Sequence, residues 1–245
     1  TPTTGINHID LEYLKKKKIN LINLLKFKKK INKIYSTSQY TLSLILAATR
    51  RLLEYSYLSK KGILNRYYYE TFQFEKLTCG IIGYGRIGKY LCKYLHKLGF
   101  KVLIYEKFLK QNKVDTKKLQ NYSFVSLKKL LELSDIISLN INYNYDNSDF
   151  LNKKNLKFCK KKPILINTSR GELVNEKDLI YFIKKKFIAN AYLDVFKNEQ
   201  KYNKINKELI KLNNKGMLNL LPHIGGTTKD ALIKTENLVL ESLLY

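Results

Sequence analysis

A glycine-rich turn constrains this chain more than any other feature of its sequence. Residues 83–88 read Gly-Tyr-Gly-Arg-Ile-Gly; an apolar, strand-like run ends at Gly83, and a helical pattern begins at Arg86. Gly83 permits a tight turn, Gly85 lets the backbone approach a pyrophosphate, and Gly88 allows the helix to pack closely on the strand. The helix start also offers unpaired N–H groups to phosphates. Because the motif lies between a strand and a helix, it predicts a dinucleotide-binding site.

A carboxylate follows the next predicted strand, Lys101–Tyr105. Glu106 ends that strand, about twenty residues after the glycine turn, which is the usual distance in dinucleotide-binding units. Its carboxylate can accept hydrogen bonds from the adenosine ribose hydroxyls and would repel a 2′-phosphate, so NAD is favoured over NADP. The neighbouring Lys107 slightly weakens this preference. A glycine turn without a ligand is the alternative interpretation.

Strands and helices alternate along the rest of the chain. The other predicted strands are Thr78–Gly83, Asp135–Ile141, Pro163–Asn167, Ile188–Leu193 and Met217–Leu221. The predicted helices are Leu11–Lys17, Ser38–Leu58, Arg86–Leu98, a helix capped by Ser126 that runs to Leu133, Leu151–Cys159, Glu176–Lys186 and a terminal helix capped by Thr227. This alternation predicts an α/β fold with a doubly wound parallel sheet of the Rossmann type.

The net charge of +26 is the most unusual property of the composition. Such an excess is typical of proteins that bind nucleic acids or anionic membranes. Here, however, nearly all the basic residues are lysines, with only five arginines, and they are spread along the whole chain among abundant Asn, Ile and Tyr. We therefore interpret the charge as solvated surface, with a polyanion site as the alternative. The charge would still steer an anionic substrate toward the protein.

The three cysteines, Cys79, Cys92 and Cys159, have no metal-ligand spacing and cannot all pair. We expect buried or half-buried thiols in a reducing cytoplasm, and no metal site. The sequence has no apolar run of about 18 residues, so no membrane span is expected. The chain starts without Met and ends inside an apolar helical pattern, and we therefore expect it to be a fragment.

Three later segments carry polar residues suited to chemistry. Residues 166–171 read Ile-Asn-Thr-Ser-Arg-Gly, residues 193–199 read Leu-Asp-Val-Phe-Lys-Asn-Glu, and residues 221–226 read Leu-Pro-His-Ile-Gly-Gly. Each follows a predicted strand, and the carboxyl ends of parallel strands face the ligand crevice. An Arg, a Glu and a His that meet beside a nicotinamide would suit the oxidation of a hydroxy acid.

With these motifs in this order, the chain resembles the D-isomer-specific 2-hydroxyacid dehydrogenases, a family that includes D-3-phosphoglycerate dehydrogenase. Four segments are similar to the family's signature blocks: 80–88, 166–171, 193–199 and 222–226. Residues 4–10 also resemble a loop late in the family's substrate domain. The resemblance implies a partial substrate domain over 1–35, an NAD-binding domain over 36–223, and a terminal helix over 224–245 that returns toward the substrate domain.

The resemblance implies catalytic roles for Arg170, Glu199 and His223. His223 would take the hydroxyl proton as hydride leaves for the nicotinamide, and would return it in the reverse reaction. Glu199 would hold the imidazole tautomer and stabilise the imidazolium. Arg170 would bind the substrate carboxylate through a bidentate contact. The implied substrate-binding residues are Thr4, Gly5, Arg170 and His223.

The remaining implied contacts are with NAD, and Asp194 would accept a hydrogen bond from the nicotinamide carboxamide. The implied cofactor-binding residues are Gly83, Gly85, Arg86, Ile87, Gly88, Glu106, Thr168, Ser169, Arg170, Asp194, His223, Gly225 and Gly226. Simpler interpretations remain open for the catalytic residues: His223 capping the terminal helix, Arg170 in a structural ion pair, and Glu199 on the surface. We assign no chemistry to His8 or to His96, which we expect to be exposed.

The sequence departs from the family pattern at three places. Gln200 stands where the family often has Pro, residues 140–142 read Asn-Ile-Asn where it commonly has His-x-Pro, and residues 66–69 read Arg-Tyr-Tyr-Tyr where it often has Trp. We therefore assign no family contacts to residues 140–145.

The function implied is an NAD-dependent oxidoreductase that transfers a hydride between nicotinamide and C2 of a D-2-hydroxy acid or 2-keto acid. The substrate is a small anion, with 3-phosphoglycerate as one candidate. Members of the family pair through their NAD-binding domains, which implies a homodimer. Two alternatives stay open: a non-enzymatic NAD-sensing protein similar to the family's transcriptional corepressors, and a polyanion-binding protein.

Overall fold

The computed structural model describes residues 1–6, 9–109, 119, 121–199 and 205–243. Its strands are β1 Thr78–Ile82, β2 Lys101–Tyr105, β3 Ser123–Phe124, β4 Ile136–Leu139, β5 Ile164–Asn167, β6 Asn190–Leu193 and β7 Asn219–Leu220. They form one sheet in the order β3-β2-β1-β4-β5-β6-β7, and every pairing is parallel. The doubly wound parallel sheet is thus confirmed. The strand order reverses at β1, which creates the crevice where such sheets bind ligands.

Helices cover both faces of this sheet. They are α1 Leu11–Lys16, α2 Lys28–Ile31, α3 Ser36–Thr49, α4 Leu52–Lys60, α5 Arg86–Lys97, α6 Leu127–Leu133, α7 Lys153–Leu156, α8 Glu176–Lys184, α9 Lys207–Asn214 and α10 Lys229–Glu241. Short 3-10 turns lie at Leu24–Phe27, Phe74–Lys76, Tyr145–Asn147 and Gly171–Leu173. Ser126 caps α6 as predicted, since its side chain accepts a hydrogen bond from the Lys129 N–H.

The core explains why the central strands read as continuous apolar runs. Every residue of β1, β4, β5 and β6 is buried, as expected for a parallel sheet with helices on both faces. One apolar cluster includes Ile45 of α3 and Leu91 of α5, and the other includes Leu130 of α6 and Leu179 of α8. The polar side chains predicted to take part in a reaction therefore lie beyond the ends of these strands, outside the apolar core.

Three element predictions were wrong in detail. The single helix expected over Ser38–Leu58 is two helices, α3 and α4, because Arg51 adopts a left-handed conformation with φ +54°. The helix expected over Leu151–Cys159 shortens to α7, because Leu151 pairs as a β-bridge with Val174. The terminal helix is capped by Thr228 instead of Thr227. Strand β3 and helices α2 and α9 were not predicted at all.

The break between α3 and α4 directs Glu54 into the protein. Its carboxylate accepts hydrogen bonds from the side-chain amide of Asn190 at 3.0 Å and from the Tyr192 hydroxyl at 2.6 Å. It also pairs with Arg51 at 3.2 Å. Because buried charges require partners, this network fixes α4 to the edge of β6.

All three cysteines are buried and unpaired, as expected from the sequence. Burial raises the pKa of each thiol, in the case of Cys159 to about 12. Within the described ranges, His, Cys, Asp and Glu residues form no group of three or more that could hold a metal ion. In the same part of the chain, no helix combines the length and the apolar character needed to cross a membrane.

Candidate active site

The glycine turn has the geometry that its sequence predicts. Gly83 has φ +100°, and a Cβ there would lie 2.6 Å from the carbonyl oxygen of Asn140. A Cβ on Gly88 would collide with the carbonyl oxygen of Gly83, so this glycine allows α5 to approach β1. A Cβ on Gly85, by contrast, would meet no atom within 4 Å. Gly85 is also the N-cap residue of α5, so the helix start opens onto free space.

Glu106 is held beside this turn by its own hydrogen bonds. Its carboxylate accepts from the backbone N–H of Tyr84 at 2.7 Å and from that of Phe108 at 2.9 Å. The carboxylate therefore lies where β2 ends, next to the loop that a pyrophosphate would contact. An open helix start with an adjacent carboxylate fits a dinucleotide with free ribose hydroxyls.

Arg86 uses its side chain within the protein. Its guanidinium donates to the backbone carbonyl of Ile34, and burial lowers its pKa from the ordinary value. Ile87 follows in the first turn of α5 and is half-buried. In this structure Arg86 thus ties the start of α5 to the connection before α3. Its backbone N–H and that of Ile87 lie in the first turn of α5, where unpaired N–H groups can bind a phosphate.

His223 and Glu199 form a direct pair at the ends of β7 and β6. Nδ1 of His223 lies 2.6 Å from Oε1 of Glu199, and the other carboxylate oxygen accepts from the Phe196 N–H at 3.2 Å. The Glu199 carboxylate raises the pKa of His223 above its ordinary value, against the opposing effects of burial and of the Arg170 charge. His223 therefore does not cap the terminal helix, and Glu199 is not simply a surface residue.

Arg170 lies at the end of β5 and close enough to His223 to affect its protonation. Its guanidinium donates to the Ser169 carbonyl at 2.6 Å. The backbone of Gly5 packs directly against it, since a Cβ on Gly5 would collide with Nη2. Gly5 is held in turn by Thr3, whose hydroxyl donates to the Gly5 carbonyl at 2.7 Å. Two of the predicted substrate-binding residues, Gly5 and Arg170, are thus in contact, whereas Thr4 is exposed.

Thr168 and Ser169 turn their side chains into the protein. The hydroxyl of Thr168 lies 2.7 Å from that of Thr41 in α3. The hydroxyl of Ser169 donates to the Leu139 carbonyl at 2.8 Å, and its N–H donates to the side chain of Asn167 at 3.0 Å. These bonds hold the backbone after β5 in place. Because both side chains are engaged within the protein, it is the backbone of this segment that faces the crevice.

Asp194 holds the loop that carries His223. Its carboxylate, which is 1% exposed, accepts from the N–H of Ile224 and from the N–H of Gly225, both at 2.9 Å. A Cβ on Gly225 would lie 3.0 Å from Oδ2 of Asp194 and 3.2 Å from the ring of Tyr40. Asp194 is therefore engaged with the protein backbone, and its predicted contact with the carboxamide of NAD stays a prediction. A Cβ on Gly226 would meet only Thr37, at 3.9 Å.

Residues at the start of α3 make site contacts that no sequence motif predicts. The hydroxyl of Ser36 donates to the Gly225 carbonyl at 2.9 Å, the Tyr40 ring packs on Gly225, and Thr41 pairs with Thr168. No motif marks these residues, because they precede the glycine turn by about forty positions and are joined to the site only by the fold. Hydroxyl residues at the start of a helix are more often read as caps.

The residues that depart from the family pattern lie mostly outside this arrangement. The side-chain amide of Asn140 donates to the carbonyl and hydroxyl of Ser138, at 3.0 and 3.1 Å, and so turns back onto its own strand. Tyr67 and Tyr68 are exposed. His96 is exposed as expected. Gln200 and His8 lie outside the described residues.

Residues 42–225 match the family described as D-isomer specific 2-hydroxyacid dehydrogenase, NAD binding domain. Among curated relatives, the glyoxylate reductase of Thermococcus litoralis is 33% identical over 216 residues, which cover 85% of this chain and 62% of that protein. The glyoxylate reductase of Thermococcus kodakarensis is 31% identical with the same coverage. The chain thus spans less than two thirds of the length of these relatives.

Solved structures show the same architecture. The D-lactate dehydrogenase of Aquifex aeolicus, crystallised with NAD and lactic acid, superposes with a TM-score of 0.83 and 27% identity over 99% of this chain and 74% of its own. A D-2-hydroxyisocaproate dehydrogenase superposes with a TM-score of 0.85 at 21% identity, over 99% of this chain and 73% of its own, and supports the fold alone. The chain therefore belongs to the D-isomer specific 2-hydroxyacid dehydrogenase family and carries the NAD-binding domain of that family.

Proposed function

We propose that the protein is an NAD-dependent oxidoreductase that transfers a hydride between nicotinamide and C2 of a D-2-hydroxy acid or 2-keto acid. The pair formed by His223 and Glu199 carries this proposal, since its Nδ1–Oε1 distance of 2.6 Å joins an acid–base group to a carboxylate at the ligand end of the sheet. Arg170 supplies a positive charge at the same end of the sheet. An imidazole, a carboxylate and a guanidinium together suit proton transfer to an oxygen beside a carboxylate.

His223 acts as the general base in oxidation and the general acid in reduction. NAD supplies the hydride acceptor when it is bound. Because Nδ1 faces Glu199, Nε2 is the atom that exchanges a proton with the substrate oxygen. The Glu199 carboxylate stabilises the imidazolium and raises its pKa, so His223 carries the proton needed for keto-acid reduction over a wider pH range.

Arg170 binds the carboxylate of the substrate. A guanidinium can form two parallel hydrogen bonds with a carboxylate, which sets the orientation of the neighbouring C2. The backbone of Gly5 packs on this guanidinium and leaves no room for a side chain. We accordingly assign residues 1–35 to the substrate domain and 36–223 to the NAD-binding domain, with 224–245 leading back toward the substrate side, where Thr4 and Gly5 line the pocket.

The cofactor contacts follow from the open helix start. Backbone groups of the glycine turn and of Arg86 and Ile87 bind the pyrophosphate, and Glu106 accepts from ribose hydroxyls. The nicotinamide end is bound by the backbone at Thr168, Ser169 and Arg170, and by Asp194, His223, Gly225 and Gly226. Gly85 supports this placement best, since no protein atom occupies the space beside it.

The substrate is a short anionic 2-keto acid. Glyoxylate and pyruvate are the first candidates, because the proteins that this chain is similar to include glyoxylate reductases and D-lactate dehydrogenases. 3-Phosphoglycerate, the 2-hydroxy acid that corresponds to the keto acid 3-phosphohydroxypyruvate, remains a further candidate from the sequence for the oxidative direction. The net charge of +26 favours the approach of any such anion.

We also propose a homodimer in the cytoplasm. The connection between α4 and β1 exposes apolar and aromatic side chains, of which Leu64 is 81% and Tyr67 is 80% exposed. The unpaired thiols agree with a reducing compartment. Sedimentation equilibrium tests the dimer directly: a species of single-chain mass at micromolar concentration would contradict it.

Turnover tests the main proposal. Purified protein is mixed with NADH and, in separate reactions, glyoxylate, pyruvate, 2-ketoisocaproate and 3-phosphohydroxypyruvate, and the loss of NADH is followed by absorbance. We expect consumption of NADH with at least one keto acid and, for any acid other than glyoxylate, whose product is achiral, D-stereochemistry of the product. Binding of NADH by fluorescence titration without turnover of any of these acids would contradict the enzyme proposal and favour the NAD-sensing alternative.

A further inference from the structure

The loop that carries His223 has an unfavourable backbone conformation. His223 has φ +54°, a left-handed value that residues with a side chain rarely adopt. It follows Pro222, which has no backbone N–H to contribute to a local turn. Contacts from outside the loop must therefore hold this residue in place, because such conformations persist only where the surrounding structure determines them.

Two side chains supply these contacts, and both act on the residues that follow His223. Asp194 accepts the N–H groups of Ile224 and Gly225. Ser36 donates its hydroxyl to the carbonyl of Gly225 at 2.9 Å, in a bond that is buried and joins positions 189 residues apart. The N–H of Ile224 and both backbone groups of Gly225 are thus paired with buried side chains, whereas the Ile224 carbonyl accepts locally from Thr227.

The position of Ser36 argues against a role in its own helix. Ser36 is the first helical residue of α3, one position after the N-cap residue Tyr35, so its hydroxyl is not at the position from which serines cap a helix. Here α3 has no side-chain cap, and the Ser36 hydroxyl is directed instead to Gly225. The hydrogen bond therefore serves the His223 loop, and a buried carbonyl would be left unpaired without it.

We propose that Ser36 is a positioning residue that holds His223 in its left-handed conformation facing Glu199. The role rests on the proposed function of His223 as the acid–base group. Ser36 touches neither substrate nor cofactor in this role; it acts through Gly225. The same connection also bonds the glycine-turn helix, because the carbonyl of Ile34 accepts from Arg86. Residues 34–36 thus join the cofactor side of the site to its catalytic side.

Kinetics of matched serine variants test the role. Ser36→Ala removes the donor, and we expect kcat for keto-acid reduction to fall about three- to ten-fold while KM changes less than about two-fold. Ser36→Thr keeps the hydroxyl and should restore kcat to within about two-fold. Ser43→Ala is the control, because Ser43 lies on the same helix, is exposed and bonds only to the Gln39 carbonyl of that helix. Its kcat should equal that of the wild type.

A spectroscopic measurement makes the test independent of turnover. The chain has three histidines, so side-chain ¹⁵N–¹H spectra are simple, and His223→Ala identifies the signal of the Nδ1–H that bonds Glu199. We expect this signal to weaken or shift in Ser36→Ala and to be unchanged in Ser43→Ala. If the wild type lacks turnover, the proposed function fails, whereas the effect of Ser36 on the His223–Glu199 bond is still measured.

Other results would overturn the proposal. One is a Ser36→Ala variant with wild-type kcat and an unchanged His223 signal. Another is an equal loss of kcat in Ser36→Ala and Ser36→Thr, which would show that the hydroxyl is not the group that matters. If Ser36→Ala unfolds at the assay temperature, Ser36→Cys replaces it, since the thiol has similar size but is a weak donor. Wild-type kcat in Ser36→Cys would then contradict the role.

Discussion

The glycine turn and the His223 loop both lie at the carboxyl ends of strands, yet they are held in different ways. The glycine turn is fixed by neighbours in one βαβ unit: the Gly83 N–H donates to the Tyr105 carbonyl at 2.8 Å, and the Tyr84 N–H donates to Glu106. The His223 loop is fixed by Ser36 and Asp194, which belong to distant parts of the chain. Apart from the bond between Arg86 and Ile34, the hydrogen bonds of the cofactor side are thus local, whereas the catalytic side is assembled by contacts between distant parts of the chain.

The largest effect on turnover should come from a substitution on the catalytic side, in the His223 loop. His223→Ala removes the proposed acid–base group, and we expect kcat for keto-acid reduction to fall about 10²- to 10⁴-fold. NADH affinity should fall far less, because the other proposed cofactor contacts are kept. Steady-state kinetics and fluorescence titration measure the two quantities. His96→Ala is the control, because His96 is exposed and lies in the last turn of α5, at the opposite end of that helix from the glycine turn. A retained rate in His223→Ala would refute the assigned role.

Arg170→Lys should have the next largest effect. The lysine keeps the charge but loses the bidentate geometry, so we expect KM for the keto acid to rise about 10- to 100-fold. Arg66→Lys is a matched control, since Arg66 lies in the exposed connection before β1. An unchanged KM in Arg170→Lys would show that the carboxylate is bound elsewhere.

Two variants of the glycine turn test the cofactor side of the site. Gly85→Ala adds a methyl group to open space, so we expect the melting temperature to stay constant while the Kd for NADH rises about tenfold. Gly83→Ala places a side chain at φ +100° against the Asn140 carbonyl, and should lower the free energy of unfolding by more than about 1 kcal/mol. Equal effects of the two variants on stability would contradict the different roles assigned to Gly83 and Gly85.

Glu199→Gln should produce the smallest change, a displacement of the pH profile. Keto-acid reduction requires protonated His223, so kcat/KM falls as the pH rises through the pKa of His223. Glu199 raises that pKa in the wild type. Replacing the carboxylate by an amide lowers it, and the falling limb should move to lower pH. Glu12→Gln, at an exposed position in α1, should leave the limb in place. If the falling limb of the pH profile stays fixed or moves to higher pH in Glu199→Gln, Glu199 does not raise the pKa of His223 in the reacting protein.

The same difference explains which parts could be predicted from the sequence. The glycine turn and Glu106 are recognisable because the glycines and the carboxylate that form the motif lie within one short stretch. The motifs with Arg170, Glu199 and His223 could be placed at strand ends from the alternating pattern. The contributions of Ser36, Tyr40 and Thr41 could not, because a hydroxyl or a ring on a helix carries no sign of the loop it will meet.

Errors in the secondary structure have a similar origin. The apolar spacing over Ser38–Leu58 is helical throughout, and the break at Arg51 is visible only once Glu54 is seen to bond Asn190 and Tyr192. The shortening of the helix at α7 depends on the bridge between Leu151 and Val174. In each case a contact with a distant residue overrides the local preference.

The buried thiols have a practical consequence for experiments on this chain. Cys79, Cys92 and Cys159 are all enclosed and have raised pKa values, so thiol-specific dyes should react slowly with the native protein. A cysteine introduced at an exposed site such as Lys15 in α1 would then label selectively without removal of the native ones. A fluorophore at that site would report whether the first thirty-five residues change their distance from bound NADH during turnover.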